Sequence, residues 1–354
     1  MKSFHLLLIC LILATFTGCG DVEVPESKRE AVLLKISLKD GTVAIGTIIA
    51  KNDTSITLAT DSGERVLYNW QILFEGAGSF GEGMAAVKIG GKWGLIDTMG
   101  RIAIDPKFDD AWSPREGLLL VEKDGKYGYI DKYGEWVIKP RFDNVTSFFD
   151  SLAAVMVGGK WGYINKKGQF VIKPRFDRAY AFSEGLAAVK EDRRCGFIDK
   201  TGNYVIKPKY NDAGYFSEEL AKVKVNNKWG FIDNSEKMII EPRFKKADAM
   251  KDGLSRIMTG WWFFRNFGYI DKRGNIAVDP QFINAGVFNS GVAPVTKGKR
   301  WGVIDKTGNY IVKPKFDDVL GSFQEGLLGV CIDGKWGFID TSGAQVIANR
   351  FDEA

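Results

Sequence analysis

A short Trp-Gly phrase recurs along most of this chain, and its spacing restricts the fold more than any other feature. The phrase reads GKWGLID at 91–97, GKWGYIN at 159–165 and GKWGFID at 334–340. The residue before the glycine is, in order, Trp93, Tyr127, Trp161, Cys195, Trp229, Phe267, Trp301 and Trp336. Successive members are 34 residues apart, except for spacings of 38 and 35 near the end. A fixed period of this length is the signature of a repeat architecture.

Each repeat contains the signals of an antiparallel meander. Residues 186–189 (LAAV) predict a first strand, and pairs such as Asp124-Gly125 predict a tight hairpin turn with positive φ. The Trp-Gly strand follows and ends in a turn such as Asp199–Gly202, where Asp caps the backbone and Gly takes the left-handed position. A third strand at 204–206 is predicted to stop at Pro208, which cannot donate a ladder hydrogen bond. The segment after it predicts a short fourth strand.

The Trp-Gly pair is interpreted as a packing device. Because side chains alternate along a strand, Trp336 and Phe338 lie on one face, and Gly337 and Ile339 lie on the other. Both faces are apolar, so neighbouring repeats are predicted to stack, with the Trp of one filling the space left by the Gly of the next. The residues assigned this structural role are Trp93, Tyr127, Trp161, Trp229, Trp301 and Trp336.

Two all-β architectures satisfy these constraints. Eight copies of three or four antiparallel strands favour an eight-bladed β-propeller. An open, curved β-solenoid is the alternative. The eight repeats are assigned to residues 77–354, and they resemble the WG-repeat family of bacterial proteins over about residues 80–354. That resemblance implies a β-rich repeat protein without one established general activity.

A separate small unit is predicted at residues 31–76. Strand-like runs at 33–38 and 55–58 are separated by turn signals such as Asp40-Gly41. The unit is interpreted as a small β-barrel, and Leu38–Ile48 resembles the pattern of Sm-like barrels. A spacer or adaptor role is expected, and the RNA binding of that family is not carried over.

The N-terminus predicts a lipoprotein signal. Residues 1–18 contain one lysine, an apolar run and then small residues. The segment before Cys19 resembles the lipobox of bacterial lipoproteins, which implies cleavage there and lipidation of Cys19. Residues 19–30 then form a polar tether. The predicted location is the bacterial cell envelope, at the outer membrane if the cell has two membranes.

Composition excludes several kinds of chemistry. The single histidine, His5, lies in the predicted leader, so the mature chain has no Ser-His or Cys-His catalytic pair. The formal net charge of +5 is mixed along the chain, without the clustered basic patch of a nucleic-acid protein. The recurring Asp after each Trp-Gly strand is interpreted as a turn cap, and not as a glycosidase acid or a metal ligand. No catalytic residue, metal or cofactor is predicted.

One insertion is the predicted binding feature. The sixth repeat carries four extra residues in Thr259–Asn266, including Trp261, Trp262, Phe263, Phe264 and Arg265. Insertions in one repeat usually lie on one face of the array, often the binding face. These side chains suit a sugar ring, a protein partner or lipid headgroups, or else they fold back onto a neighbouring repeat.

The sequence therefore predicts a lipid-anchored, extracytoplasmic binding or scaffold protein with envelope protein partners. A carbohydrate-binding surface lipoprotein, with Trp261 and Trp262 as stacking platforms, is the alternative. An envelope hydrolase is the third and least favoured hypothesis.

Overall fold

A computed structural model describes residues 34–37, 43–51, 55–60, 63–68, 74–98, 100–260, 266–324 and 326–351. The described residues form strands, turns and connecting segments, and none of them lies in a helix. Consequently these residues include no helix with the length and hydrophobicity to cross a bilayer.

The N-terminal segment forms an antiparallel sheet of four strands in chain order. Its strands are β1 (Leu34–Ser37), β2 (Val43–Lys51), β3 (Ser55–Thr60) and β4 (Gly63–Tyr68). The register of β2 against β3 shifts between Ile48 and Ala50. Closure of this sheet into the predicted small barrel remains a prediction.

The rest of the chain forms eight four-stranded sheets, one per repeat, with neighbouring strands in chain order. The first four sheets contain β5 (Gly76–Ala77), β6 (Met84–Ile89), β7 (Lys92–Asp97), β8 (Ile102–Phe108); β9 (Asp110–Ala111), β10 (Leu119–Lys123), β11 (Lys126–Ile130), β12 (Trp136–Phe142); β13 (Asn144–Val145), β14 (Ala153–Val157), β15 (Lys160–Ile164), β16 (Phe170–Phe176); and β17 (Arg178–Ala179), β18 (Ala187–Glu191), β19 (Arg194–Ile198), β20 (Tyr204–Tyr210).

The last four sheets contain β21 (Asp212–Ser217), β22 (Leu220–Val225), β23 (Lys228–Ile232), β24 (Met238–Phe244); β25 (Lys246–Ala247), β26 (Leu254–Thr259), β27 (Asn266–Asp271), β28 (Ile276–Phe282); β29 (Asn284–Ala285), β30 (Val292–Thr296), β31 (Trp301–Asp305), β32 (Tyr310–Phe316); and β33 (Asp318–Val319), β34 (Leu327–Ile332), β35 (Lys335–Asp340), β36 (Gln345–Phe351). These eight sheets are blades of an eight-bladed β-propeller, which confirms the predicted fold class.

The predicted two-residue hairpin before the Trp-Gly strand forms in the first five blades and in the eighth, whereas in the seventh Thr296 pairs with Trp301 across a longer turn. In the third blade Val157 pairs with Lys160, so Gly158 and Gly159 make a two-residue turn. Their φ angles are +59° and +78°. Positive φ at both positions gives the turn a twist that matches the flanking strands.

The outer strand of each blade corrects the predicted role of proline. The strand that was expected to stop at Pro208 instead runs through it, from Tyr204 to Tyr210. Cys195 pairs with Tyr210 and Phe197 pairs with Ile206, so three residues of β20 lie opposite one residue of β19. Proline is tolerated because it sits in a β-bulge, where its missing N–H interrupts no regular pair.

The described residues fall into two compact units. One extends to Phe148 and includes Lys166–Gly168, and the other contains Phe149–Asn165 and Gln169 onward. In the first unit, the core lies between the first two blades. Its buried members include Leu95, Phe108 and Ile130.

In the second unit, successive blades also bury their apolar faces against each other. Tyr163 and Phe176 of the third blade pack against Phe182 and Val189 of the fourth. The same arrangement continues from the fourth blade to the eighth. Face-to-face stacking of neighbouring repeats is therefore confirmed, because a single meander has no core of its own.

Candidate functional site

The glycine of the Trp-Gly pair has a different structural role from the predicted one. A Cβ on Gly162 would lie 2.5 Å from the carbonyl oxygen of Ile172 and 2.6 Å from the nitrogen of Pro174. Both atoms belong to the bulged outer strand of the same blade. The prediction that the Trp of a neighbouring repeat fills the space above the glycine is wrong. Glycine is needed at this position because the backbone of the proline bulge passes too close to leave room for a side chain.

The aromatic residue before the glycine is not the centre of the core. Trp161 is half-buried and packs against the edge of the apolar cluster between the third and fourth blades. Trp93, Trp229 and Trp301 lie in the same way against their clusters. Cys195 is the exception, because it is fully buried in the same column.

The fully buried column lies two residues later in each repeat. Its members are Leu95, Tyr129, Tyr163, Phe197, Phe231, Tyr269, Val303 and Phe338. Tyr163 contacts Phe182 edge to face at 4.8 Å, and its hydroxyl donates to the carbonyl of Tyr180 at 2.8 Å. Burial raises the pKa of Tyr163 well above its ordinary value, so this hydroxyl remains a donor.

The recurring aspartates cap turns, as the sequence predicts. Asp199 Oδ1 accepts hydrogen bonds from the backbone amides of Thr201 at 2.9 Å and Asn203 at 3.0 Å. The Thr201 hydroxyl, which also donates to this carboxylate, is the largest cause of the lowered pKa of Asp199, and the backbone amides add to it. A carboxylate that already accepts several hydrogen bonds is poorly suited to act as an acid or base near neutral pH. Asn165 forms the same cap in the third repeat.

A second acidic column links neighbouring repeats, and sequence reasoning missed it. Glu184 has a φ of +54° at the first position of a two-residue turn. Its carboxylate accepts the backbone amides of Glu218 at 2.6 Å and Glu219 at 2.9 Å, in the equivalent turn of the next repeat. Asp150 accepts the amide of Gly185 in the same way. The sequence signal that could have revealed this column is an acidic residue that recurs at a turn position where Asn or Gly is usually favoured.

The lysine of the GKWG phrase also has a structural partner. Lys160 Nζ donates to Asp177 Oδ1 at 2.6 Å, and Asp177 Oδ2 accepts the amide of Asp192 at the adjacent hairpin turn. The hydrogen bond from Lys160 is the largest cause of the lowered pKa of Asp177. Equivalent ion pairs join Lys92 to Asp109 and Lys126 to Asp143.

The predicted ligand-binding and lipidation residues lie outside the described residues. Trp261, Trp262, Phe263, Phe264 and Arg265 follow β26 and precede β27, and Cys19 lies in the N-terminal segment. Within the described ranges, no three His, Cys, Asp or Glu side chains gather where they would hold a metal ion.

A surface site that sequence reasoning missed lies in the second blade. Trp112 is 38% exposed, and its ring lies 6.0 Å from that of Tyr127 at an interplanar angle of 50°. Glu122 stands directly opposite Tyr127 on the adjacent strand. Burial raises the pKa of Tyr127, and the charge of Glu122 raises it further. Trp112 lies outside the repeat consensus, so the pattern gave it no role.

The fold and these columns define a β-propeller protein built from tandem four-stranded repeats. The chain belongs to the WG containing repeat family, whose model matches nine consecutive segments. These are residues 71–93, 93–127, 127–161, 161–195, 196–229, 229–260, 267–301, 301–336 and 336–354. A comparison with curated protein sequences gives no match.

Several solved structures share distant similarity with the chain. Dihydro-heme d1 dehydrogenase NirN in complex with DHE is 14% identical with a TM-score of 0.44, covering 78% of this chain and 73% of NirN. AztD from Citrobacter koseri is 12% identical with a TM-score of 0.40, covering 91% of this chain and 94% of AztD. The extracellular domain of BT3049 from B. thetaiotaomicron is 12% identical with a TM-score of 0.33, covering 92% of this chain and 54% of that domain. Similarities at this level do not bear on what this chain binds.

Proposed function

We propose that this chain is a scaffold that binds other proteins through the surface of its repeats. The observation that supports this is the contrast between a constant buried column and a column whose residues vary from blade to blade. The buried column of Tyr163 is apolar or aromatic in all eight repeats. The column of Trp112 lies directly after the buried Ala or Val of each blade's first strand, and its members are Gly78, Trp112, Thr146, Tyr180, Gly214, Asp248, Gly286 and Leu320. Trp112 is the exposed member of this column, and Gly214 and Gly286 are buried. A constant core, combined with a blade-specific residue that reaches the surface at Trp112, suits recognition of partners.

Binding without catalysis is the better interpretation of the acidic residues. The Asp column caps turns, and the Glu and Asp of the second column accept backbone amides of the next repeat. These carboxylates therefore have structural partners in place of a substrate. The envelope hydrolase hypothesis has no support from their geometry.

The proposed location is the outer face of a bacterial membrane, with Cys19 as the lipid anchor. This part of the proposal rests on the N-terminal sequence alone, and it has its own test. Replacement of Cys19 by Ser should move the protein from the membrane fraction to the soluble fraction and abolish labelling by a tagged fatty acid. A Cys19→Ser protein that still carries the label would contradict the anchor.

Affinity capture from the native membrane tests the scaffold proposal. The full-length protein should retain a defined set of envelope proteins after cross-linking. Substitution of exposed aromatic residues, Trp112→Ser, Tyr133→Ser or Tyr215→Ser, should remove at least one captured protein while the protein still folds. Ile311→Thr is a matched control, since Ile311 is exposed on the outer strand β32. Capture that none of the three aromatic substitutions changes would contradict binding through this surface.

Carbohydrate binding stays the alternative, because Trp261 and Trp262 are adjacent aromatics next to Arg265. A glycan array probed with the full-length protein and with Trp262→Ala separates the two hypotheses. Glycan binding that Trp262→Ala abolishes would favour the alternative. Absence of glycan binding, together with captured envelope proteins, would favour the scaffold.

A further inference from the structure

The second blade carries an aromatic pair that its own residues leave uncovered. The Trp112 and Tyr127 rings are inclined to each other at 50° with centroids 6.0 Å apart, and they form two sides of a shallow cradle. Trp112 is held by a 3.0 Å backbone hydrogen bond from its amide to the carbonyl of Leu120. The cradle is therefore fixed to the blade and is not part of a free loop.

Two acidic residues, Glu122 and Asp110, lie close to Tyr127. Glu122 is opposite Tyr127 in the register of β10 and β11, and it is also opposite Asp110 in the register of β10 and β9. The charges of Glu122 and Asp110 both act on the Tyr127 hydroxyl. An aromatic surface with adjacent negative charge attracts an organic cation, because the ring faces carry negative potential.

Two other blades show how the chain itself fills this kind of site. In the fifth blade, Lys222 Nζ lies 4.8 Å and Lys224 Nζ lies 5.7 Å from the ring of Trp229. In the sixth blade, the Arg256 guanidinium lies 5.5 Å from the ring of Phe267. The aromatic column of these blades thus receives a cation from the same molecule.

The second blade reverses this arrangement. Lys224 pairs with Trp229 across the strands, and Glu122 pairs with Tyr127 at the equivalent position. The cation is thus replaced by an acid. Among the described residues, no Lys or Arg side chain lies over the ring of Trp112 or of Tyr127.

We propose that the Trp112–Tyr127 cradle binds an arginine or lysine side chain of an extended partner protein segment. The cation lies against the two rings, and Glu122 supplies the opposite charge. This inference deepens the proposed scaffold function and rests on it, since it names the chemistry that one blade recognises. A neutral sugar, which also stacks on aromatic rings, is an outcome of the test.

The first measurement locates the binding site with a minimal probe. The full-length protein, kept in non-ionic detergent and labelled with 5-fluorotryptophan, has ten tryptophans. The Trp112 fluorine signal is assigned as the signal lost in Trp112→Phe. Titration with N-acetyl-arginine amide should shift this signal, whereas N-acetyl-citrulline amide, its neutral isostere, should leave it unchanged. Equal shifts by both probes, or a shift by neutral monosaccharides instead, would overturn the proposal.

Two variants test the cradle by calorimetry with an arginine-containing peptide. Trp112→Ala should weaken binding about fivefold or more, because it removes one cation–ring contact. Glu122→Lys should abolish binding, because it restores the internal cation found at positions 88, 190 and 224. Lysine occupies this register position in those three blades, so the variant is expected to fold. Unchanged affinity in Glu122→Lys, with an unchanged melting temperature, would exclude the cradle.

A matched control and the membrane capture assay separate this proposal from the scaffold proposal. Lys224→Gln in the fifth blade should leave peptide affinity unchanged. If wild type and Glu122→Lys capture the same envelope proteins, the scaffold stands and the cradle is not its binding site. If neither captures any protein while the arginine probe still binds, the cradle stands and the scaffold proposal fails.

Discussion

The hydroxyl of Tyr163 donates a hydrogen bond of 2.8 Å to the backbone carbonyl of Tyr180, seventeen residues later, in the next blade. The same bond joins Tyr269 to the carbonyl of Gly286 at 2.6 Å. In each case the ring also packs edge to face on the phenylalanine two residues beyond the acceptor. One side chain therefore supplies both apolar packing and a polar link between blades.

Removal of this hydroxyl should destabilise the protein measurably. Tyr163→Phe leaves the Tyr180 carbonyl without its donor, and we expect a loss of about 1–2 kcal/mol in the free energy of unfolding. Tyr163→Ala should cost about 3–5 kcal/mol, because it also leaves a cavity. Urea unfolding provides the measurement. Tyr133→Phe, at a side chain that is 68% exposed, is the control and should change nothing.

The glycine beside Trp161 is expected to tolerate no side chain. Gly162→Ala would place a methyl group 2.5 Å from the Ile172 carbonyl oxygen, so the outer strand has to move away. We expect a loss of about 3 kcal/mol or more, or failure to fold.

Gly298→Ala is the matched control for this prediction. It lies in the same unit, and an added Cβ would meet no atom within 4 Å. Comparable melting temperatures for the two variants would contradict the close backbone approach.

The half-buried position of Trp161 predicts a smaller effect than its size suggests. Trp161→Ala should cost about 2 kcal/mol, less than Tyr163→Ala, because part of the indole already contacts water. Thermal unfolding of the two variants under identical conditions provides the comparison. A larger loss of stability for Trp161→Ala than for Tyr163→Ala would contradict the peripheral position of the indole in the core.

The sequence predicted the strands and turns because their signals are local. Glycine pairs such as Gly158-Gly159 require positive φ, and an Asp two residues before a turn amide can cap it. The period of 34 residues then predicted that identical units stack. None of these inferences needed to know which atoms meet between units.

The errors arose where a residue depends on a neighbouring strand or repeat. Residue 162 is glycine because the backbone of the bulge at Pro174 lies directly against it. Neither residue by itself reveals that the two strands pair in this register. The alternation along β15 placed Trp161 and Tyr163 on one face, but their depth depends on where that face ends. Trp112 was missed because a repeat consensus hides residues that occur only once.

The carboxylates that cap turns should make the free energy of unfolding depend on pH in the acidic range. The folded-state pKa of Asp199 and Asp305 is lowered, most of all by the hydroxyls of Thr201 and Thr307. Their stabilisation is therefore complete above the unfolded pKa of about 3.9 and is lost as the pH falls through the lower folded values. Urea unfolding at a series of pH values should show this loss below about pH 4.

Asp199→Asn tests the origin of the acid effect. Asn165 already caps the equivalent turn through its side-chain oxygen, so the variant should fold. Its dependence on acid should be weaker than that of wild type, because one carboxylate no longer titrates. An identical pH dependence would show that the turn caps do not contribute.

The Glu184 turn should respond differently to alanine and to glycine. Both substitutions remove the acceptor for the amides of Glu218 and Glu219, but only alanine keeps a side chain at a φ of +54°. We therefore expect Glu184→Ala to be less stable than Glu184→Gly by about 1 kcal/mol, because glycine adopts this conformation without strain. Glu184→Gln keeps an acceptor oxygen and should be the mildest of the three. Chemical unfolding of the three variants gives the order of their stabilities. If Glu184→Ala is the most stable of the three, neither the backbone strain nor the link between repeats contributes to stability.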